Sequence, residues 1–179
     1  MGYAHLYEHF AKLLCYPDED YIATGRLCRD AAKECCEEAK QKVGEFLSRM
    51  EGRPTEKLQE LFVQTFDLNP VCVLEVGWHL YGDNYDRGAF LVRTRERLRR
   101  HNVQESSELP DHLTHILALL ARMEADEASS FANESVAPAL DKMLAGIAGK
   151  ESPYEFLLTA LRETLAFAHA PALQGVKHD

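Results

Sequence analysis

No stretch of this chain is long and apolar enough to cross a bilayer, which takes about 20 apolar residues. The longest apolar run, Val71–Val76, is short and carries Glu75 inside it. The N-terminus, Met1-Gly2-Tyr3-Ala4-His5, lacks the basic-then-apolar order of a signal peptide. Leu6 stands where an N-myristoylation signal wants Ser or Thr. Five cysteines are present, an odd number, and no two form a C-x-x-C. That excludes a zinc ribbon and gives no sign of a disulfide framework. Cys28, Cys35 and Cys36 fall on an apolar helical face, where a free thiol acts as a small hydrophobe. The expected compartment is the cytoplasm, where thiols stay reduced.

Catalytic signatures are missing too. There is no G-x-G-x-x-G, no Walker A loop and no G-x-S-x-G. Positive charge is scarce: 20 Lys and Arg stand against 29 Asp and Glu, a net charge of −9. General nucleic-acid binding needs a basic footprint, so this balance argues against it. It suits a basic partner, because opposite potentials speed encounter. His5 and His9 are i, i+4, and His112 and His115 are i, i+3, spacings that could share a metal. Neither pair has an evident third ligand, so no metal and no cofactor are expected.

The 179 residues are 46% hydrophobic and 27% charged, an ordinary soluble balance. Apolar residues recur with helical spacing nearly throughout. Tyr3, Leu6, Phe10, Leu13 and Leu14 mark a first helix that Tyr16-Pro17 closes. Asp18 suits the N-cap of a second, whose stripe runs from Cys28 to Met50, with Gly25 able to break its start. Thr55 caps a third, with Leu58, Leu61, Phe62, Thr65 and Phe66 on one face. The 71–81 segment alternates as a strand would, yet no second strand is evident to pair with it. It is therefore read as a buried helix. Another helix spans Tyr85 to Arg100 and ends in Arg93, Arg95, Arg97, Arg99 and Arg100, cations favoured at a helix C-terminus. Later helices run from Pro110 to about Met123 and from Glu127 to Ile147, the latter kinked or restarted at Pro138. The last starts from a capping box of Ser152 and Glu155. The expected architecture is a single all-α domain over 1–179, with about seven helices and a frayed tail over 171–179. The polar 101–109 loop is a candidate hinge, and hinge loops permit domain swapping. The expected state is a monomer with a minor dimer that exchanges the part after Pro110.

One short run carries the candidate site: Ser107-Glu108-Leu109-Pro110-Asp111-His112-Leu113. Pro110 suits the first position of a helix and Asp111 its first turn, beside the positive end of the dipole. In one reading this is a well-made helix start and nothing more. In the other, Asp111 and His112 form a polar recognition corner, and binding through an unshifted imidazole would vary between about pH 5.5 and 7.5. Phe62, Phe66, Trp78 and Tyr81 could wall a groove or simply pack the core. Trp78 and His79 stand beside Gly77, where a Trp can sit at a pocket wall with its N–H free.

Four runs in order carry a resemblance: Leu61-Phe62-Val63-Gln64-Thr65-Phe66-Asp67, His79-Leu80-Tyr81-Gly82-Asp83, Asp86-Arg87-Gly88 and Glu108-Leu109-Pro110-Asp111-His112-Leu113. Together with the late Ser152-Pro153-Tyr154, they resemble the NarJ branch of the TorD/DmsD/NarJ chaperones. The resemblance implies an all-helical, non-enzymatic protein that binds the catalytic subunit of a molybdenum oxidoreductase before its cofactor is inserted. It implies that the partner segment is that subunit's N-terminal peptide, which in exported clients carries a twin-arginine signal. It further implies peptide binding by Glu108, Pro110, Asp111 and His112, with support from Phe62, Phe66, Trp78 and His79. The chain departs from the pattern after Gly88, where its helix is more basic. Two other classes compete: a small enzyme using Asp111 and His112 as an acid–base pair, and a nucleic-acid regulator using Arg93–Arg100.

Overall fold

The computed structural model describes residues 3–170, so the tail expected to fray over 171–179 lies outside the described residues. The described residues are all-α, with ten α-helices. These are α1 (Tyr3–Leu13), α2 (Tyr21–Lys33), α3 (Glu37–Met50), α4 (Thr55–Phe62) and α5 (Val76–Tyr81). There follow α6 (Tyr85–Arg100), α7 (Leu113–Leu120), α8 (Ala125–Phe131), α9 (Ala137–Ile147) and α10 (Tyr154–Ala168). α4 runs on into a π-helical turn, Val63–Asp67, and α8 joins α9 through another, Ala132–Val136. The second π turn lies just before Pro138. Proline cannot donate the i→i−4 bond, so the wider turn absorbs the disruption and the rod continues through it.

Helices α7, α1, α2, α3, α10, α9, α5 and α6 each pack on the next, and α6 touches α7 again, so the neighbours form a closed ring. Inside it lies one contiguous core that includes Leu6, Phe10, Phe46, Met50, Leu117, Leu140 and Leu161. Each helix contributes the face that its 3.6-residue spacing puts inward. No helix among the described residues is long and apolar enough to cross a membrane.

Several boundaries differ from the sequence expectation. The long second helix breaks at Cys36, whose backbone is extended, rather than at Gly25. Gly25 is instead a close-packing point: a Cβ there would meet Leu47 Cδ2 at 2.5 Å. Pro54 and Pro153, not Thr55 and Ser152, occupy the N-cap positions of α4 and α10, without side-chain caps. Asp18 accepts the Asp20 N–H at 3.0 Å, in the turn before α2. The largest difference is at 71–81. Only Val76–Tyr81 is helical; Glu75 is extended and forms an isolated antiparallel bridge with His112. The Val76 N–H donates to Asp111 O at 3.0 Å, and the Leu113 N–H to Leu74 O at 2.8 Å. The alternating pattern therefore had a partner after all, far away in sequence.

The 101–109 segment, expected as a hinge, is tied down at several points. His115 Nε2 accepts the Ser106 N–H at 2.9 Å, while its Nδ1 donates to Leu109 O at 2.8 Å. Arg95 holds Glu105 through a 3.0 Å ion pair.

Candidate functional site

α7 begins at Leu113 and not at Pro110, which changes the chemistry of the corner before it. Leu109 to His112 form a tight turn closed by the His112 N–H on Leu109 O at 3.0 Å. Pro110 is buried in this turn. His112 is the N-cap: its Nδ1 accepts from Thr114 Oγ1 at 2.7 Å and more weakly from the Thr114 N–H at 3.4 Å. Those contacts place the proton of the neutral ring on Nε2. Burial, with His115 next to it, pushes the His112 imidazole down to about 4.

Asp111 does not serve its own helix. It is fully buried, and its Oδ2 accepts the Gly77 N–H at 2.8 Å. It thus caps α5, a helix from another part of the chain, satisfying one of the donors a helix start leaves unpaired. Gly77 permits this approach, because a Cβ there would stand 2.7 Å from Asp111 Oδ2. Burial raises the Asp111 carboxyl above its usual range, opposed by the Gly77 hydrogen bond and by Arg87. With Asp111 turned to Gly77 and His112 to Thr114, the two side chains do not share a reacting position, and an acid–base pair has no geometric support.

In front of the corner lies a cleft of about 490 Å³. That is within the range of side-chain and small-ligand sites. Phe62, Phe66, Glu108 and His112 line it, so four of the eight sequence-derived residues meet there. Phe62 and Phe66 are 5.1 Å apart between centroids and form its floor. The π turn carries Phe66 and Asp67. Phe66 packs edge-on against Tyr154, 4.7 Å away between centroids, which anchors the floor to α10. Pro110 and Asp111 support the wall from behind without lining it. Trp78 and His79 do not line it either. The Trp78 Nε1–H donates to Pro70 O at 3.2 Å, and the Arg87 guanidinium lies 5.3 Å over its ring. His79 Nε2 donates to Val73 O at 2.7 Å. Both residues fasten the 70–75 segment to α5, so their effect on the cleft is through Val73, Leu74 and Glu75.

Sequence reasoning missed Tyr16, Asp67 and Glu75, which also line the cleft. Tyr16 is exposed and meets the Phe62 ring edge-on at 6.1 Å. Glu75 left a legible signal, a lone carboxylate inside an apolar run. Burial raises the Glu75 carboxyl, and Asp111 and Glu108 add to the rise, with Arg87 opposing them. Asp67 is raised by burial and by Glu108. Among the described residues no lysine or arginine lines the cleft to balance Asp67, Glu75 and Glu108. Leu68 and Leu109, neighbours in sequence of the lining residues Asp67 and Glu108, are exposed apolar side chains. The whole is an acidic cleft with an aromatic floor.

The arginine-rich end of α6 is largely engaged with acids. Arg97, Arg100 and His101 gather on Glu127 at 3.8, 3.6 and 3.1 Å, beside the Arg95–Glu105 pair. Among the described residues no group of three or more His, Cys, Asp or Glu is placed to hold a metal ion.

Comparison with known proteins agrees with this architecture. The family model of the nitrate reductase delta subunit matches residues 29–159. The chain is 30% identical over 132 residues to the nitrate reductase molybdenum cofactor assembly chaperone NarJ of Escherichia coli K12, covering 73% of this chain and 56% of the relative. NarJ of Escherichia coli O157:H7 matches to the same extent. The chain thus spans little more than half the length of the curated relatives it matches. The crystal structure of a candidate redox enzyme maturation protein from Archaeoglobus fulgidus shares the fold, with a TM-score of 0.62 at 22% identity, over 90% of this chain and 92% of that one. The helical ring, the matched 29–159 span and these relatives together place the chain in the nitrate reductase delta subunit family.

Proposed function

We propose that this chain is an assembly chaperone for a molybdenum enzyme of the nitrate reductase type. It holds the catalytic subunit before the molybdenum cofactor is inserted, and it does so in the cytoplasm, ahead of export or membrane docking. The segment it grips is the subunit's N-terminal peptide. Membership of the family and the chaperone names of the Escherichia coli relatives support the general role. The observation that carries the peptide reading is the cleft: Asp67, Glu75 and Glu108 surround a floor of Phe62 and Phe66, with no lysine or arginine among the described lining residues. An amphipathic peptide bearing Lys or Arg relieves the repulsion among these carboxylates and buries its apolar side on the rings. His112 contributes a neutral donor at the edge, while Pro110, Asp111, Trp78 and His79 position the walls. No step of this role requires a reacting group on the chain, so it acts as a binding protein and not as an enzyme.

The test is affinity capture from the native host, followed by calorimetric titration of the captured subunit's N-terminal peptide into wild type and Glu108→Lys. Capture of a molybdenum-enzyme catalytic subunit, with peptide binding weakened about tenfold or more by the reversal, is the expected result. Failure to capture any such subunit overturns the chaperone role. Binding that ignores Glu108→Lys overturns the cleft as the peptide's seat.

A further inference from the structure

The proposed function leaves α6 unused, although it is the least typical helix of this acidic chain. It carries six arginines against two carboxylates, in a protein of net charge −9. Its inner face, Phe90, Thr94 and Leu98, is buried. Its outer face has no partner among the described residues. Tyr85 is 89% exposed and Val92 57% exposed, the first among the most exposed large apolar side chains of the protein. With Ala89 they fall at i, i+4 and i+7, the spacing by which a helix anchors itself in an apolar groove. Arg93 and Arg99 flank this stripe, exposed and without an ion pair among the described residues, with the exposed Glu96 between them as the one carboxylate that the contact must leave at its edge. An apolar stripe followed by free arginines is the complement of the cleft described above.

The two surfaces are also neighbours. Arg95 of α6 holds Glu105, and the next residues, Ser106, Ser107 and Glu108, line the cleft. One loop therefore separates the basic outer face from the acidic mouth. A two-fold dimer needs each copy to present both halves of the contact on one side, so that residue i meets j and j meets i. We propose that this chain self-associates as a two-fold pair, in which the outer face of α6 of each copy lies across the cleft of the other. A cleft of about 490 Å³ takes side chains and not a helix of about 10 Å diameter, so α6 bridges the mouth and inserts its side chains. The empty cleft is thereby covered, and a client peptide must displace the second copy. The proposal rests on the cleft being a seat for basic, amphipathic segments. The net charge of each copy opposes pairing over long range. At physiological salt that term is screened beyond about 8 Å, whereas contact pairs persist.

The test is sedimentation equilibrium of the full chain at physiological salt, for wild type, Arg99→Glu, Glu108→Arg and the double variant. Both side chains are exposed, so the fold tolerates the changes. The expected result is a wild-type dimer, a dissociation constant raised about tenfold by either reversal, and recovery in the double variant. A wild type that stays monomeric overturns the proposal, as does a dimer indifferent to both reversals or not rescued by the double variant. Adding the client's N-terminal peptide separates the two readings. A peptide that binds a monomeric wild type leaves the cleft reading standing and removes the dimer. A charge-reversible dimer that the peptide neither binds nor dissociates removes the peptide reading and leaves the dimer.

Discussion

Asp111 Oδ2 and the Gly77 N–H, 2.8 Å apart, join the turn before α7 to the start of α5. The two residues are 34 positions apart in sequence, and the contact is fully buried. It is reinforced on the backbone by the Glu75–His112 bridge. One side chain thus sets the relation between the segment that supplies Glu75 and the segment that supplies Glu108 and His112.

Removing that contact should destabilise the fold. Asp111→Ala leaves the Gly77 donor buried and unpaired, a loss of about 1–3 kcal/mol. Gly77→Ala should cost a similar amount, about 1–3 kcal/mol from overpacking, because its Cβ would stand 2.7 Å from Asp111 Oδ2 and 2.8 Å from Phe90 Cδ1. The two losses should be less than additive in the double variant, since the clash with the carboxylate disappears while the one with Phe90 remains. Chemical denaturation of the three variants checks this; fully additive losses would show that the residues act separately.

The pH dependence of stability should follow His112. Its imidazole sits at about 4 in the folded protein against an ordinary 6.5. The folded value is depressed, so the stability contribution is fully present above about 6.5 and is lost as pH falls toward 4. The unfolded chain takes up the proton first over this window. The loss amounts to about 3 kcal/mol at most. His112→Gln should flatten the stability profile between about pH 6.5 and 4. Thermal melts across that range provide the measurement. This also corrects the expectation of variable binding between about pH 5.5 and 7.5, because a buried imidazole remains neutral there.

Among the residues around the site, only those lining the cleft should change peptide affinity directly. Glu108→Lys is expected to weaken binding about tenfold with an unchanged melting temperature. Trp78→Phe removes the hydrogen bond to Pro70 O but keeps a ring under Arg87. It should lower stability by about 0.5–1.5 kcal/mol and leave affinity as it was. Calorimetry alongside melts separates the two effects, and a Trp78→Phe variant of full stability but weak binding would place Trp78 in the contact.

His115 should control the cleft wall. Its ring accepts from Ser106 N–H and donates to Leu109 O. His115→Ala should therefore speed amide exchange at Ser106 by roughly tenfold, corresponding to about 1–1.5 kcal/mol. If the 101–109 segment is also a hinge, freeing it should raise a dimer that exchanges the part after Pro110. Such a dimer would be insensitive to Arg99→Glu, which distinguishes it from the α6 pairing.

Much of the helical architecture was legible in the sequence. The stripes of α1, α3, α6 and α10 are local, and a helix buries whatever its periodicity puts on one side. The Phe62–Phe66 pair was visible for the same reason. The sequence also determined the acidic balance and the ordered motifs that mark the family. Tertiary structure alone decided the rest. Asp111 had a local role available, the first turn of its own helix, but α7 starts two residues later and the carboxylate turns to Gly77 instead. The alternation at 71–76 produced only an isolated bridge at Glu75, whose partner lay at 111–113, a stretch with no alternation of its own. Tyr16, Asp67, Glu75 and Glu108 share a cleft because three connections, α1–α2, α4–α5 with its π turn, and α6–α7, converge there, and no spacing along the chain encodes that. Helices are set by neighbours three and four residues away; the site is set by backbone bonds and close packing between segments dozens of residues apart, which local periodicity does not record.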